Sequence, residues 1–147
     1  MPDPTGIVYY GLPLRKEDFR EYSEETDDLE VAWYDPESED WVDDMLSCYL
    51  ERVGVRGPHD VTWDFGKYQE NHECPLERDF AGSLYTGDSE SFLCAWKTTS
   101  EWGMMVDLDG MSSFDTGRAD RRFEEFFGMV GLTPKRSPRW ILTSLEG

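Results

Sequence analysis

A chain of 147 residues with 38% hydrophobic and 14% aromatic side chains can bury the core of one domain, and its net charge of −18 excludes the basic footprint that direct nucleic-acid binding needs. The same charge disfavours an anionic membrane surface, no apolar run approaches the roughly 18 residues of a membrane span, and the first residues lack a basic-then-apolar leader. Cys48, Cys74 and Cys94 are widely spaced and form no CxxC pair, so buried thiols in a reducing, cytoplasmic setting are expected rather than a disulfide framework.

Residues 7–10 (Ile-Val-Tyr-Tyr), between two glycines, predict a first strand that Pro13 interrupts. A short helix is predicted over about 15–22, with Phe19 and Tyr22 on one face. Residues 29–34 alternate apolar and polar side chains up to Asp35-Pro36, the pattern of a strand and a turn. The best-marked helix follows. Ser38 is its predicted N-cap, Glu39 and Asp40 occupy the first turn where the macrodipole favours acids, and Gly54 ends it. Trp41, Val42, Met45, Cys48, Tyr49 and Val53 share its apolar side, while Asp40, Asp44 and Glu51 fall within about 40° of one another on the other, flanked by Asp43.

Glycine and proline break the pattern often between 54 and 90; within that stretch 61–65 (Val-Thr-Trp-Asp-Phe) predicts a strand and 76–84 a helical turn. Residues 92–96 (Phe-Leu-Cys-Ala-Trp) are continuously apolar, as an interior strand buried on both faces would be, with 103–108 as its antiparallel return. A second clear helix is predicted over 118–130. Ala119, Phe123, Phe126, Phe127 and Val130 form its stripe, Arg121, Glu124 and Glu125 lie off it, and Gly131 followed by Thr133-Pro134 stops it. Residues 139–145 close the chain as a strand. The sum is one α+β domain over 1–147, a small mixed α/β arrangement with a mixed or mainly antiparallel sheet packed with two to three amphipathic helices.

The charge is uneven: −12 over residues 1–50, −4 over 51–100 and −2 over 101–147. Residues 21–51 hold thirteen carboxylates and no Lys or Arg, yet they are interleaved with Tyr22, Leu29, Val31, Trp33, Tyr34, Trp41 and other apolar side chains. A disordered acidic tail lacks such residues, so this stretch reads as folded structure displaying negative charge. Halophilic adaptation would instead spread acids over the whole surface.

Candidates for catalysis are sparse. His59-Asp60 has the makings of an oriented base, but no nucleophile lies near it in sequence. His72 and Cys74 are a possible pair of metal ligands without a second close pair. Asp107-x-Asp109, with Asp115 beyond, is a common pattern at a strand end. No phosphate loop, dinucleotide fingerprint or nucleophile elbow is present. No catalytic residue, metal or cofactor is therefore expected.

Gly6-Ile7-Val8-Tyr9-Tyr10-Gly11-Leu12 near the start, with Gly131-Leu132-Thr133-Pro134 and Ser137-Pro138-Arg139-Trp140-Ile141-Leu142-Thr143-Ser144 near the end, resembles small acidic proteins of actinobacteria and their phages. The resemblance covers about thirty residues and the acidic, aromatic composition between them. It implies a small accessory protein of a bacterium, phage or mobile element, and carries no activity with it. The low Lys content then has a second explanation in a GC-rich genome.

These features converge on a protein-binding inhibitor that presents carboxylates where a target expects phosphates, as a DNA mimic blocking the basic cleft of a defence enzyme of the restriction or CRISPR type would. Asp40, Asp43, Asp44 and Glu51 are the expected phosphate surrogates, with Asp27, Asp28, Glu37 and Glu39 extending the surface. The partner is a basic protein surface. A second reading is an immunity-type protein that neutralises a basic toxin through aromatic anchors such as Trp33 or Trp41. A third is a small metal-dependent hydrolase using Asp107, Asp109 and a histidine. The lower charge at the chain ends leaves room for a homodimer seam.

Overall fold

The computed structural model describes residues 5–55, 57, 59–83, 90–101 and 108–146. The fold is α+β, with a mostly antiparallel four-stranded sheet, a two-stranded ribbon and three substantial helices.

Strand β1 (Thr5–Pro13) runs past the glycine and through the proline that its pattern made the end. It pairs antiparallel with β5 (Glu90–Glu101) on one side and β6 (Arg139–Glu146) on the other. β4 (Glu77–Ser83) lies beside β5, and its last residues meet β6 in parallel at Gly82–Leu145 and Ser83–Glu146, which closes the four strands into a small barrel. Between Tyr10 and Gly11 the β5 partner jumps from Trp96 to Cys94. At that bulge a Cβ on Gly11 would stand 1.9 Å from the Leu93 carbonyl oxygen, so only glycine lets the strands approach.

Alternation along β1 splits the apolar residues between two clusters. Ile7 and Tyr9 join Phe92 and Cys94, backed by Ala81 and Ile141, so all four strands contribute to one small cluster in which Tyr9 stacks on Phe92 at 4.0 Å. Tyr10, Leu12 and Leu93 face the larger core beneath the helices. Residues 92–94 are thus buried on both faces, as their unbroken apolar run requires.

Helix α1 (Trp41–Arg52) buries Val42, Met45, Leu46, Cys48, Tyr49 and Leu50. Its N-cap is Asp40, whose side chain accepts from the Val42 N–H at 2.9 Å. The predicted cap, Ser38, belongs to a preceding turn and donates its N–H to Asp35. Helix α2 (Val61–Gln69) replaces the predicted strand at 61–65. Asp60 caps it by accepting from Thr62 and Trp63, and Val61, Phe65 and Gln69 repeat every four residues on its buried side. Five residues do not distinguish a period of 2 from one of 3.6. The helical turn predicted over 76–84 is instead strand β4, whose pairing with β5 overrides a polar composition.

Two further expectations fail before α1. Residues 15–22 hold only a 3₁₀ turn, Lys16–Asp18, because Phe19 bridges to Pro134 and Arg20 donates its N–H to Thr133, drawing the chain out of helical geometry. Of 29–34 only Leu29 is in a strand: β2 (Tyr22–Ser23) and β3 (Asp28–Leu29) form a two-residue ladder. The residues after it follow turns, and no strand among the described residues pairs with them.

Helix α3 (Leu108–Ser113) is short. Helix α4 (Thr116–Val130) begins on the Asp115 side chain, which accepts from Arg118, and ends on left-handed Gly131. Its predicted stripe is buried, and Tyr49 of α1 lies 4.8 Å from Phe126 and 5.8 Å from Phe65 of α2. The return predicted over 103–108 lies outside the described residues except for Leu108, which starts α3.

Candidate functional site

The acidic stretch divides into two parts. The first, 21–39, has little regular structure but is fastened along its length. Leu29 is 3% exposed, and Val31, Trp33 and Tyr34 pack against the core. Trp33 donates its indole N–H to the Val130 carbonyl at 2.7 Å, which satisfies an orphan acceptor at the end of α4. Backbone N–H groups of Asp27, Glu30, Tyr34 and Ser38 donate to Ser23, Glu21, Val31 and Asp35. From this frame Glu24, Glu25, Asp27, Glu30, Asp35, Glu37 and Glu39 are exposed, while Asp28 is half-buried.

Within this part Asp27 is the most constrained. It adopts φ 57°, a left-handed conformation that Asp and Asn tolerate better than most residues. Its carboxylate accepts from the Tyr22 hydroxyl at 2.6 Å and lies 3.5 Å from the Lys16 ammonium. The Tyr22 hydrogen bond, then Lys16, holds its pKa below the usual range, and the same bond pushes the Tyr22 phenol up to about 12. The Asp35 carboxylate accepts from the Glu37 N–H at 2.9 Å.

The second part, 40–51, is different. Arg78 of β4, its side chain 2% exposed, reaches the first turn of α1 and binds Asp40 at 2.7 Å and also Asp43. The same guanidinium donates to Thr62 of α2 at 3.0 Å and to Ser91 of β5 at 3.1 and 3.3 Å. One buried base thus joins two helices and two strands. Asp40 and Asp43 are half-exposed and hold it in place, so their charges are largely used inside the molecule. Asp44 is half-buried, and its Oδ2 has no hydrogen-bond partner among the described residues. Glu51 is exposed, one helix length from Asp40, or about 16 Å by the helical rise.

The four expected phosphate surrogates are therefore not one free array. Glu37 and Glu39 are exposed, and Trp41 is half-buried with its ring edge-on to Phe19 at 6.1 Å. Sequence reasoning missed Arg78, whose partners lie 38 and 35 residues away. It counted Glu24, Glu25, Glu30 and Asp35 in the acidic stretch without naming them as contact residues, although they are as exposed as Glu37 and Glu39. Their signal was present in a base-free run broken by turn residues.

The chemical candidates are dispersed. His59 is exposed beside the Trp63 ring at 4.5 Å, and His72 packs on Tyr68 with Nδ1 3.2 Å from the Tyr68 carbonyl. Cys48, Cys74 and Cys94 are buried free thiols, and burial pushes Cys74 and Cys94 up, away from the reactive thiolate. Asp109 is exposed on α3, Asp115 caps α4, and Asp107 lies outside the described residues. Among the described residues no group of three or more His, Cys, Asp and Glu is placed to hold a metal ion, and no helix is long and apolar enough to cross a membrane.

Compared with protein-family models, curated proteins and solved structures, the chain finds no match in any of the three.

Proposed function

We propose that the protein is an acidic, protein-binding inhibitor that occupies the basic nucleic-acid cleft of a defence enzyme, as an accessory protein of a phage or mobile element would. One observation carries this reading: seven carboxylates between Glu24 and Glu39 stand exposed on a segment held by its own backbone hydrogen bonds and by Leu29 and Trp33. Duplex DNA carries one charge per roughly 1.7 Å of axis, and a cleft built for it attracts a fixed carboxylate array at long range. A pre-ordered array avoids the ordering entropy that a flexible acidic tail loses on binding. The partner-facing residues are Glu24, Glu25, Glu30, Asp35, Glu37 and Glu39, with Asp27 and Asp28 at the edge. The immunity-type alternative has less support, because Trp33 and Trp41 spend their rings on the core.

The test is a tagged capture from bacterial lysate at low and high salt, beside a Glu24→Lys/Glu25→Lys/Glu37→Lys/Glu39→Lys variant. These positions are exposed and leave the Arg78 network intact, whereas reversing Asp40 and Asp43 would damage the fold as well as the surface. A nucleic-acid-binding enzyme retained at low salt, shed at high salt and absent from the variant supports the proposal once the wild-type protein also inhibits its DNA binding. Retention indifferent to the four reversals sinks it.

A further inference from the structure

Three exposed cations gather where the chain leaves α4, against the prevailing charge. The loop between α4 and β6 carries Lys135 and Arg136, and Arg20 faces it from the turn after the 3₁₀ segment; all three line a groove of about 490 Å³. In a chain with 32 acids, none of these three exposed cations has an ion-pair partner among the described residues. Phe123, Phe127 and Leu132, 2–4% exposed, form the buried floor beneath the groove, and half-buried Pro134 and Pro138 supply its accessible apolar wall.

The groove is built by specific contacts. The Lys135 N–H donates to the Asp18 carbonyl at 2.8 Å, the Arg20 N–H to the Thr133 carbonyl at 2.9 Å, and the Thr133 N–H to the Glu21 carboxylate at 2.7 Å. With the Phe19–Pro134 bridge, these strap the cationic loop across the turn that carries Arg20. The volume lies within the range of small-molecule sites, and cations held beside an apolar wall fit a ligand that is charged at one end only.

We propose that this groove binds a small organic anion, a carboxylate or phosphate held by Arg20, Lys135 and Arg136 with an apolar body against Pro134 and Pro138. The α4 wall limits the charge such a ligand carries. Asp120 accepts from the Tyr10 hydroxyl at 2.7 Å, and Glu124 is exposed, so a second anionic group on the body would meet like charge. One anionic head and an uncharged ring or chain satisfy both walls.

The experiment titrates the ¹⁵N-labelled protein with phenyl phosphate at low ionic strength and follows backbone amide shifts. Benzoate, inorganic phosphate and benzyl alcohol serve as the carboxylate, no-body and no-charge arms. Saturable shifts at Arg20, Thr133, Lys135 and Arg136 are expected, with inorganic phosphate and benzyl alcohol each about ten-fold weaker, the loss of one good contact. The relative strength of phenyl phosphate and benzoate then assigns the head group. Lys135→Ala/Arg136→Ala removes two charge-assisted contacts at exposed positions and weakens binding at least about ten-fold, whereas Glu124→Gln tightens it about two-fold. Lys67→Ala, on α2, leaves it unchanged. Shifts that never saturate, a double variant that binds as well as the wild type, or phenyl phosphate no tighter than inorganic phosphate each overturn the proposal.

Discussion

The two parts of the acidic stretch, nine carboxylates over 21–39 and four over 40–51, meet different fates. Between Glu24 and Glu39 the carboxylates face solvent on a scaffold of turns, with Lys16 as the basic side chain that approaches them. In the first turn of α1, Asp40 and Asp43 are drawn onto buried Arg78 and become part of what holds two helices to the sheet. A carboxylate's availability to a partner thus depends on whether the fold delivers a base to it. Linear charge density does not reveal that.

The largest expected effect tests the second part. Arg78→Met should destabilise the protein by about 2–3 kcal/mol, somewhat under the usual cost of breaking a buried pair because the freed carboxylates are already half-hydrated. Thermal unfolding should show a fall in Tm of roughly 5–10 °C. If Tm moves by less than a degree or two, Arg78 does not fasten the helices to the sheet. Asp40→Asn comes next: it keeps the N-cap acceptor but removes one charged partner, at about 1 kcal/mol in urea denaturation, with strong non-additivity when combined with Arg78→Met.

The first part should behave in the opposite way. Each of Glu24→Lys, Glu25→Lys, Glu37→Lys and Glu39→Lys should change stability by no more than about 0.5 kcal/mol, since each carboxylate is exposed. A cumulative loss of several kcal/mol would mean that this surface also serves the fold.

Asp27 is the smallest and sharpest case, because its hydrogen bond from Tyr22, and then Lys16, lower its pKa on folding. A depressed folded pKa contributes stability above the unfolded value of about 4 and loses it as pH falls through the folded value. Asp27→Asn keeps the left-handed backbone and removes the charge. The variant should melt slightly below the wild type at neutral pH, and the gap should close on acidification. A gap that persists unchanged in acid would point to a neutral hydrogen bond rather than charge.

Much of the fold was legible because its signals are local. Helix α4 declares itself through a five-residue apolar stripe, and Gly131 occupies the left-handed position that ends it. Residues 92–94 read as doubly buried because no polar side chain interrupts them. Two predictions failed because a distant contact overruled a local preference: the Phe19–Pro134 bridge undid a short helix, and β5 recruited a polar run as β4. A third failure was local, since the Asp60 cap turned an alternating pentapeptide into the start of α2. Of the candidate site, the ordered, base-free character of 21–39 was visible, since apolar residues placed among acids can only be explained by a core that receives them.

By itself, then, the sequence determined that acids crowd the first third, that aromatic side chains anchor them, and that an α+β core lies beneath, because composition and periodicity are local properties of the chain. Only the tertiary structure decided which acids remain free. Arg78 is 35 residues from Asp43, and Arg20 is 115 residues from Lys135 across the groove they line. Electrostatic interaction falls off with distance in space, and separation along the chain does not specify that distance until the strands are paired.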